Sequence, residues 1–162
     1  MEDILKACSG NEPNEMTCVV QKENETCKIY VRGYDQDGRA LLYMRPAKEN
    51  TKDAVNNVRH VVWNLEKAIA CSSKQGRSKI CIVIDYDGFA LLHAPPFSTS
   101  RYILEILQNH YPERMHKAYI CNPPFVFRYV LGSNEIRFWE CWEHFEIVLS
   151  HTHTLGCCSF SL

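Results

Sequence analysis

The amino-acid sequence predicts an α/β fold in which a mixed β-sheet is flanked by helices. Two short apolar runs joined by turn residues predict a β-hairpin. Further apolar runs then alternate with stretches of helical periodicity. Because parallel neighbouring strands need a crossover connection, this alternation predicts parallel strands joined by helices.

The predicted hairpin spans residues 27–44. Cys27–Arg32 (CKIYVR) and Ala40–Met44 (ALLYM) have the composition of strands. Between them, residues 34–38 (YDQDG) have turn chemistry, because aspartate bonds to the local backbone and glycine accepts a positive φ. Pro46 is expected to end the second strand.

The strongest periodic signal predicts a long helix after the hairpin. Its apolar positions recur at helical spacing: Ala54, Val55, Val58, Val61, Val62, Leu65, Ala68 and Ile69. Asn50 or Thr51 is predicted to cap its N-terminus, and Asp53 suits the positive end of the helix dipole. Residues 71–78 (CSSKQGRS) are predicted to form a polar connection to the next strand.

A second strand–helix–strand unit follows that connection. The β-branched run at 80–84 (ICIVI) is typical of a strand buried on both faces. Ser98 is predicted to cap the next helix and Pro112 to stop it. Residues 117–121 (KAYIC) are predicted to form another strand.

The last third of the chain has weaker patterns. Ile136–Phe138 is predicted to be a short strand. An amphipathic helix is predicted next, because four apolar residues recur at helical spacing: Phe138, Trp142, Phe145 and Leu149. The chain is therefore divided into three regions: a polar N-terminal arm with one short helix at 1–26, a folded domain at 27–150 and an irregular tail at 151–162.

Composition limits the classes of function. The 162 residues are 46% hydrophobic and 23% charged, with a formal net charge of −1, so no nucleic-acid partner is expected. Neither a signal peptide nor an apolar run of about 18 residues is present, which favours a cytoplasmic protein. The nine cysteines are an odd number and include no CxxC pair, which favours reduced thiols over a disulfide framework.

Several motifs in order resemble the CRAL-TRIO lipid-binding domain, the fold of phosphatidylinositol and phosphatidylcholine transfer proteins. They are residues 33–46 (GYDQDGRALLYMRP), 62–66 (VWNLE), 82–88 (IVIDYDG), 107–115 (LQNHYPERM) and 119–127 (YICNPPFVF). The resemblance covers residues 27–128, about two-thirds of the chain, and identifies 27–150 as a CRAL-TRIO-like lipid-binding domain.

This resemblance implies that the sheet and helices enclose an apolar pocket for one lipid. The implied function is non-enzymatic binding, and transfer between membranes, of a phospholipid or other small lipophilic molecule, with no cofactor, catalytic residue or metal. Tyr111 and Glu113 are the implied head-group residues, with the glutamate accepting hydrogen bonds from ring hydroxyls. The residues alone leave open a solvated Glu113–Arg114 ion pair. Aromatic residues that could line the pocket, or form plain core, are Tyr43, Trp63, Phe89, Tyr102 and Phe125.

The chain departs from the family pattern at both ends. Residues 1–26 are shorter and more polar than the family's leading helical segment. Ala90–Leu92 replace hydroxyl residues that hold phosphatidylcholine, and Glu135 lies where the family has a lysine for phosphate. The chain is therefore expected to be truncated or divergent at both ends. The alternative function is a truncated fragment that acts as an interaction scaffold without binding a ligand.

Two other kinds of chemistry have residues of a suitable type in this sequence. Residues 71–78 match the C-x₅-R-[ST] loop of cysteine phosphatases, but that loop needs a helix N-terminus beyond it, and here a strand is predicted to follow. Zinc-type residues occur in the tail at His151, His153, Cys157 and Cys158, but their spacing matches no known finger. The predicted function therefore includes neither a catalytic cysteine nor a metal.

Overall fold

The computed structural model describes residues 15–90, 97–124 and 145–148. The elements are α1 (Glu15–Asn24), β1 (Ile29–Tyr34), β2 (Ala40–Met44), a 3₁₀ turn (Pro46–Lys48), α2 (Ala54–Lys74), β3 (Ile80–Asp85), α3 (Phe97–His110), β4 (Met115–Cys121) and β5 (Phe145–Val148). The five strands form one sheet in the order β1-β2-β3-β4-β5. Strands β1 and β2 are antiparallel, and every later pair is parallel. The predicted α/β fold with a mixed sheet and flanking helices is confirmed. None of the helices in these ranges is long and apolar enough to cross a membrane.

The predicted hairpin forms, but its first strand is Ile29–Tyr34 rather than Cys27–Arg32, so Tyr34 belongs to the strand and not to the turn. Both the Asp37 and Arg39 backbone N–H groups donate to Asp35 Oδ1, at 3.0 and 2.7 Å. Gly38 has a φ of +86°, a conformation that other residues adopt only with strain. A Cβ atom at Gly38 would lie 3.4 Å from Gln75 Cβ, so the turn also packs against the chain that follows α2.

The start and end of α2 both differ from the prediction. The N-cap residue is Asp53, whose Oδ1 accepts hydrogen bonds from Val55 N and Asn56 N, both at 3.0 Å. Asn50 and Thr51 do not cap the helix, because the chain is still outside the helix at both residues and enters it only at Ala54.

The C-terminal end of α2 lies later than expected. The helix continues to Lys74, so residues 71–74 of the predicted polar connection are helical. Ser72 is fully buried, and its Oγ accepts a hydrogen bond from Ala40 N at 2.8 Å. Because this serine has a specific partner on β2, a polar sequence can remain helical against the sheet.

The second unit forms as predicted, except that β4 begins at Met115 rather than Lys117 and that α3 and β3 each differ in one respect. Helix α3 begins at Phe97, directly after two prolines, so Ser98 lies in its first turn rather than at the N-cap. Strand β3 is buried at Ile80–Ile82 and half-buried at Val83–Asp85, so burial on both faces holds only for its first half.

The predicted amphipathic helix that ends near Leu149 is wrong over residues 145–148. This segment is β5, which pairs in parallel with Ala118–Cys121 of β4. Backbone pairing to an available sheet edge therefore outweighs the helical spacing of the apolar residues. The strand predicted at Ile136–Phe138 and the tail at 151–162 lie outside the described residues.

Helices α2 and α3 pack on the same face of the sheet. Alternate strand residues such as Leu42, Ile82 and Ala118 form a buried core with α2, and side chains of α3 pack against this core. The short helix predicted in the N-terminal arm is α1, and it packs against α2 rather than lying loose. The division of the chain at residues 26 and 150 stays a prediction.

A buried polar network holds α1 in place. The Lys28 ammonium is 3% exposed and forms ion pairs with Glu23 at the end of α1 and with Glu49. Thr51 Oγ1 donates to Glu23 Oε2 at 2.8 Å, and Asn57 Nδ2 donates to Glu49 Oε2 at 2.6 Å. This network joins α1, β1, the 3₁₀ turn region and α2.

Candidate functional site

The sheet face opposite the helices carries a row of large side chains. Register places Tyr30 beside Tyr43, Tyr43 beside Val83, and Val83 beside Tyr119. These four residues, here called the tyrosine row, are each one position out of phase with the buried core residues of their strands. All four are half-buried, and no described helix packs on this face. The row therefore forms a largely apolar floor across four strands.

The geometry of the row suits contact with an apolar ligand. The Tyr30 and Tyr43 rings are stacked, with centroids 5.1 Å apart and planes 8° from parallel. Burial, assisted by the neighbouring Tyr30, raises the pKa of Tyr43, so its hydroxyl stays neutral near pH 7. The row thus offers flat carbon surface and, at Tyr43, an uncharged hydroxyl.

The hairpin turn covers one end of this face, at the starts of β2 and β3. Leu41 and Cys81 are buried there, and Cys81 Sγ donates to Asp35 Oδ2 at 3.4 Å. Burial and Asp35 raise the pKa of Cys81 to about 12, so this thiol is protonated and a poor nucleophile. Burial alone would raise the pKa of Asp35, but hydrogen bonds from Arg39 and Cys81 outweigh it and lower that pKa.

The other end of the face, at the C-terminal ends of the parallel strands, is polar. Asp85 Oδ1 accepts a hydrogen bond from Asn122 Nδ2 at 3.0 Å, and Asp85 Oδ2 lies 3.9 Å from Arg45 Nε. Burial, together with Asp85, raises the pKa of the Cys121 thiol. The floor therefore has polar groups at both ends, so either end can hold the polar part of an amphipathic molecule.

The two predicted head-group residues have different surroundings. Tyr111 is buried in the helical side of the core, and its hydroxyl donates to Glu66 Oε1 on α2 at 2.5 Å. Glu113 is exposed and has a φ of +57°, unusual for a residue with a side chain. The structure thus places Glu113 at the surface beside β4 and Tyr111 beneath it, and their role in head-group binding stays a prediction.

The aromatic candidates separate into different positions. Tyr43 belongs to the tyrosine row, whereas Phe89 packs edge-on against Tyr86 and Tyr102 is exposed on α3. Trp63 lies on α2, with the Lys67 ammonium 5.0 Å from its ring centroid. Phe125 lies outside the described residues.

Sequence reasoning did not single out Tyr30 or Tyr119 as candidate site residues. Each lies between two residues of a strand that face the core, so strict alternation would have placed both on the opposite face. Their position between core-facing residues was the signal that could have identified them.

The phosphatase alternative fails on geometry. Residues 71–74 form the last turn of α2, and Gln75 N donates to the carbonyl of Ser72 at the helix C-terminus. Arg77 Nε donates to the carbonyl of Asp37 at 2.5 Å. This arginine therefore binds the hairpin turn and is not part of a phosphate-binding loop. In the part of the chain that the structure describes, no three metal-binding side chains cluster, and the four tail residues considered for zinc lie outside it.

Comparison with known proteins agrees with this architecture. The model of the CRAL/TRIO domain family matches residues 24–133. A CRAL-TRIO domain-containing protein of Schizosaccharomyces pombe is 33% identical over 129 residues, covering 80% of this chain and 11% of that protein. The phosphatidylinositol transfer protein PDR17 of Saccharomyces cerevisiae is 35% identical over 111 residues, covering 65% of this chain and 31% of that protein.

A solved structure supports the fold. The crystal structure of Sfh5 superposes with a TM-score of 0.61 at 18% identity, covering 87% of this chain and 51% of that one. The chain belongs to the CRAL/TRIO domain family, in which curated relatives include phosphatidylinositol transfer proteins. It spans less than a third of the length of the two curated relatives above.

Proposed function

We propose that this chain binds one phospholipid or other small lipophilic molecule and carries it between membranes without making or breaking a bond. The observation that carries the proposal is the tyrosine row, a half-buried apolar floor on the sheet face away from the described helices. Membership of the CRAL/TRIO family, and a relative named as a phosphatidylinositol transfer protein, support a lipid as the occupant.

The energetics favour an acyl chain on this floor. Each buried CH₂ group contributes about 0.8 kcal/mol, so a chain lying across several strands can be held without any charged contact. Stacked Tyr30 and Tyr43 rings present wide carbon surfaces, and the neutral Tyr43 hydroxyl adds no charge repulsion. Such a site retains a lipid by burying its apolar surface away from water, without a covalent bond or an ion pair.

The head group is proposed to lie near the start of β4. There the exposed Glu113 carboxylate accepts hydrogen bonds from head-group hydroxyls. Tyr111, anchored to Glu66, holds the preceding residues so that the chain turns outward at Glu113. The positive φ of Glu113 costs free energy on its own, and such residues cluster at ligand sites.

Exchange of the lipid is proposed to occur during transient contact with a membrane surface. A cytoplasmic location is part of the proposal, since a carrier between organelle membranes must reach their cytoplasmic faces. Nothing in this mechanism calls for a cofactor or for a catalytic group.

Uptake of a pyrene-labelled phosphatidylcholine from vesicles tests the floor. Tyr43→Glu puts a charge in the tyrosine row and should reduce uptake at least about tenfold, because a buried carboxylate without a partner is costly. The control, Val55→Glu, puts the same side chain at a position that is 61% exposed at the start of α2. Circular dichroism confirms folding of both variants. Equal uptake by the parent and Tyr43→Glu would contradict the floor.

A second comparison tests the head-group end. Glu113→Gln should lower uptake of phosphatidylinositol more than uptake of phosphatidylcholine, because an amide is the weaker acceptor for ring hydroxyls. The exposed Glu25→Gln is the matched control. Parallel losses for both lipids, or none for either, would remove Glu113 from the site.

A further inference from the structure

Three surface segments meet at the edge of the sheet where the parallel strands begin. Arg77 Nε donates to the carbonyl of Asp37 in the hairpin turn at 2.5 Å. Arg114 Nη1 donates to the carbonyl of Ser78 at 3.2 Å, and Ile80 N donates to the carbonyl of Arg114 at 2.8 Å. The hairpin turn, the α2–β3 connection and the α3–β4 connection therefore form one continuous surface.

This surface has a surplus of positive charge. Lys74, Arg77, Lys79 and Arg114, here called the cationic edge, lie on it, and all but the half-buried Lys79 are exposed. None of the four forms an ion pair within the described residues.

The acidic groups at the same place are mostly neutralised. Asp35 and Asp37 both pair with Arg39, which leaves Glu113 as an exposed carboxylate beside the cationic edge. The whole chain carries a formal charge of −1. The surplus of positive charge at this edge is therefore local, and the rest of the chain has a surplus of negative charge.

An exposed aromatic residue lies beside the cationic edge. Tyr34 ends β1 at the hairpin turn and is 39% exposed, which makes it one of the few large apolar side chains left to solvent among the described residues. Aromatic side chains with a polar tip favour the head-group layer of a bilayer. Basic residues around such a side chain are the combination that a peripheral membrane surface uses.

We infer that the cationic edge and Tyr34 are the surface by which this protein docks onto a bilayer that contains anionic lipids. The inference rests on the proposed lipid-carrying function and adds the membrane partner and the orientation. Docking at this edge brings Glu113, the proposed head-group residue, to the membrane. The lipid would then enter and leave with its head group at the bilayer surface.

Vesicle co-sedimentation of the full chain tests the docking surface. We expect binding to phosphatidylcholine vesicles doped with phosphatidylserine, little binding to pure phosphatidylcholine vesicles, and loss of binding as salt is raised. Lys74→Gln and Lys79→Gln should each lower vesicle affinity about fivefold, since a basic residue near an anionic surface contributes about that factor.

The matched control uses two lysines at the opposite edge of the sheet. Lys48 and Lys52 follow the C-terminal end of β2, so Lys48→Gln with Lys52→Gln removes the same charge without touching the cationic edge. An equal loss of vesicle binding in the control pair would show a general charge effect and overturn the inference. Equal binding to both kinds of vesicle would also overturn it. Tighter binding to single-stranded RNA than to the doped vesicles would overturn it as well, because the cationic edge would then be a nucleic-acid surface.

Lipid content separates this inference from the proposed function. Native mass spectrometry of the Lys74→Gln/Lys79→Gln variant should show the same bound lipid as the parent, because the cationic edge is outside the pocket. A variant that keeps its lipid and still docks would refute the docking surface alone. A parent protein that docks but never holds a lipid would refute the proposed function alone.

Discussion

Replacing Lys28 by methionine should lower the free energy of unfolding by about 3–5 kcal/mol, the usual cost of removing one partner from a buried ion pair. The lysine is 3% exposed, and it is paired with Glu23 and Glu49. Without it, Glu23 keeps the hydrogen bond from Thr51 Oγ1 at 2.8 Å, which is too little for a carboxylate that is almost fully buried.

The two glutamates should contribute unequally to the loss of stability. Burial alone would raise the pKa of Glu49, but hydrogen bonds from Lys28, Thr51 and Asn57 outweigh it and lower that pKa. Because the Thr51 and Asn57 donors remain in the variant, most of the loss should come from Glu23.

Urea unfolding followed by far-ultraviolet circular dichroism measures the loss. The control is the double variant Lys28→Met/Glu23→Leu, which removes the stranded carboxylate and should recover much of the stability. A loss below about 1 kcal/mol would show that the pair behaves like a surface ion pair. A double variant no more stable than Lys28→Met would mean that packing, rather than an unpaired carboxylate, explains the loss.

Three further perturbations test other parts of the fold. Burial and the nearby Lys28 lower the pKa of His60 to about 4, so its contribution to stability is complete above the unfolded pKa of about 6.5 and is lost as pH falls from there toward 4. The urea midpoint of the parent should be lower at pH 5 than at pH 7, and this difference should be smaller in His60→Gln. Asp53→Ala should cost about 1 kcal/mol through loss of the α2 N-cap, and Asp53→Ser should restore most of it in thermal unfolding. Ser72→Ala strands the buried Ala40 N–H and should cost about 1–3 kcal/mol, whereas a cost near zero would show that water replaces the hydroxyl.

Local signals predicted the elements that are bounded by strong stop residues. Strand β2 has the predicted bounds Ala40–Met44, because Gly38 sets the turn before it and Pro46 prevents its extension. Helix α2 was predicted from its apolar spacing, but its last turn depends on a hydrogen bond from Ala40 N to Ser72 Oγ. A contact between residues so far apart in sequence leaves no periodic trace.

Some features depend on contacts between residues far apart in the sequence, and local patterns did not predict them. The apolar spacing around Phe145 is compatible with a helix, yet four residues there complete the sheet beside β4. The Glu23–Lys28 pair was not predicted, because a charged residue in a polar arm and another at the start of a strand are each typical of solvated surface. Membership of the family was predictable from ordered motifs, while the tyrosine row required knowledge of which strand face the helices cover.

Native mass spectrometry of the purified full chain, with extraction and identification of any bound lipid, is the most direct test of whether this protein carries a lipid. We expect a co-purifying lipid at near one-to-one stoichiometry, which Tyr43→Glu loses and Val55→Glu retains. A folded, monodisperse protein that carries no lipid and takes up none from vesicles would contradict lipid carriage.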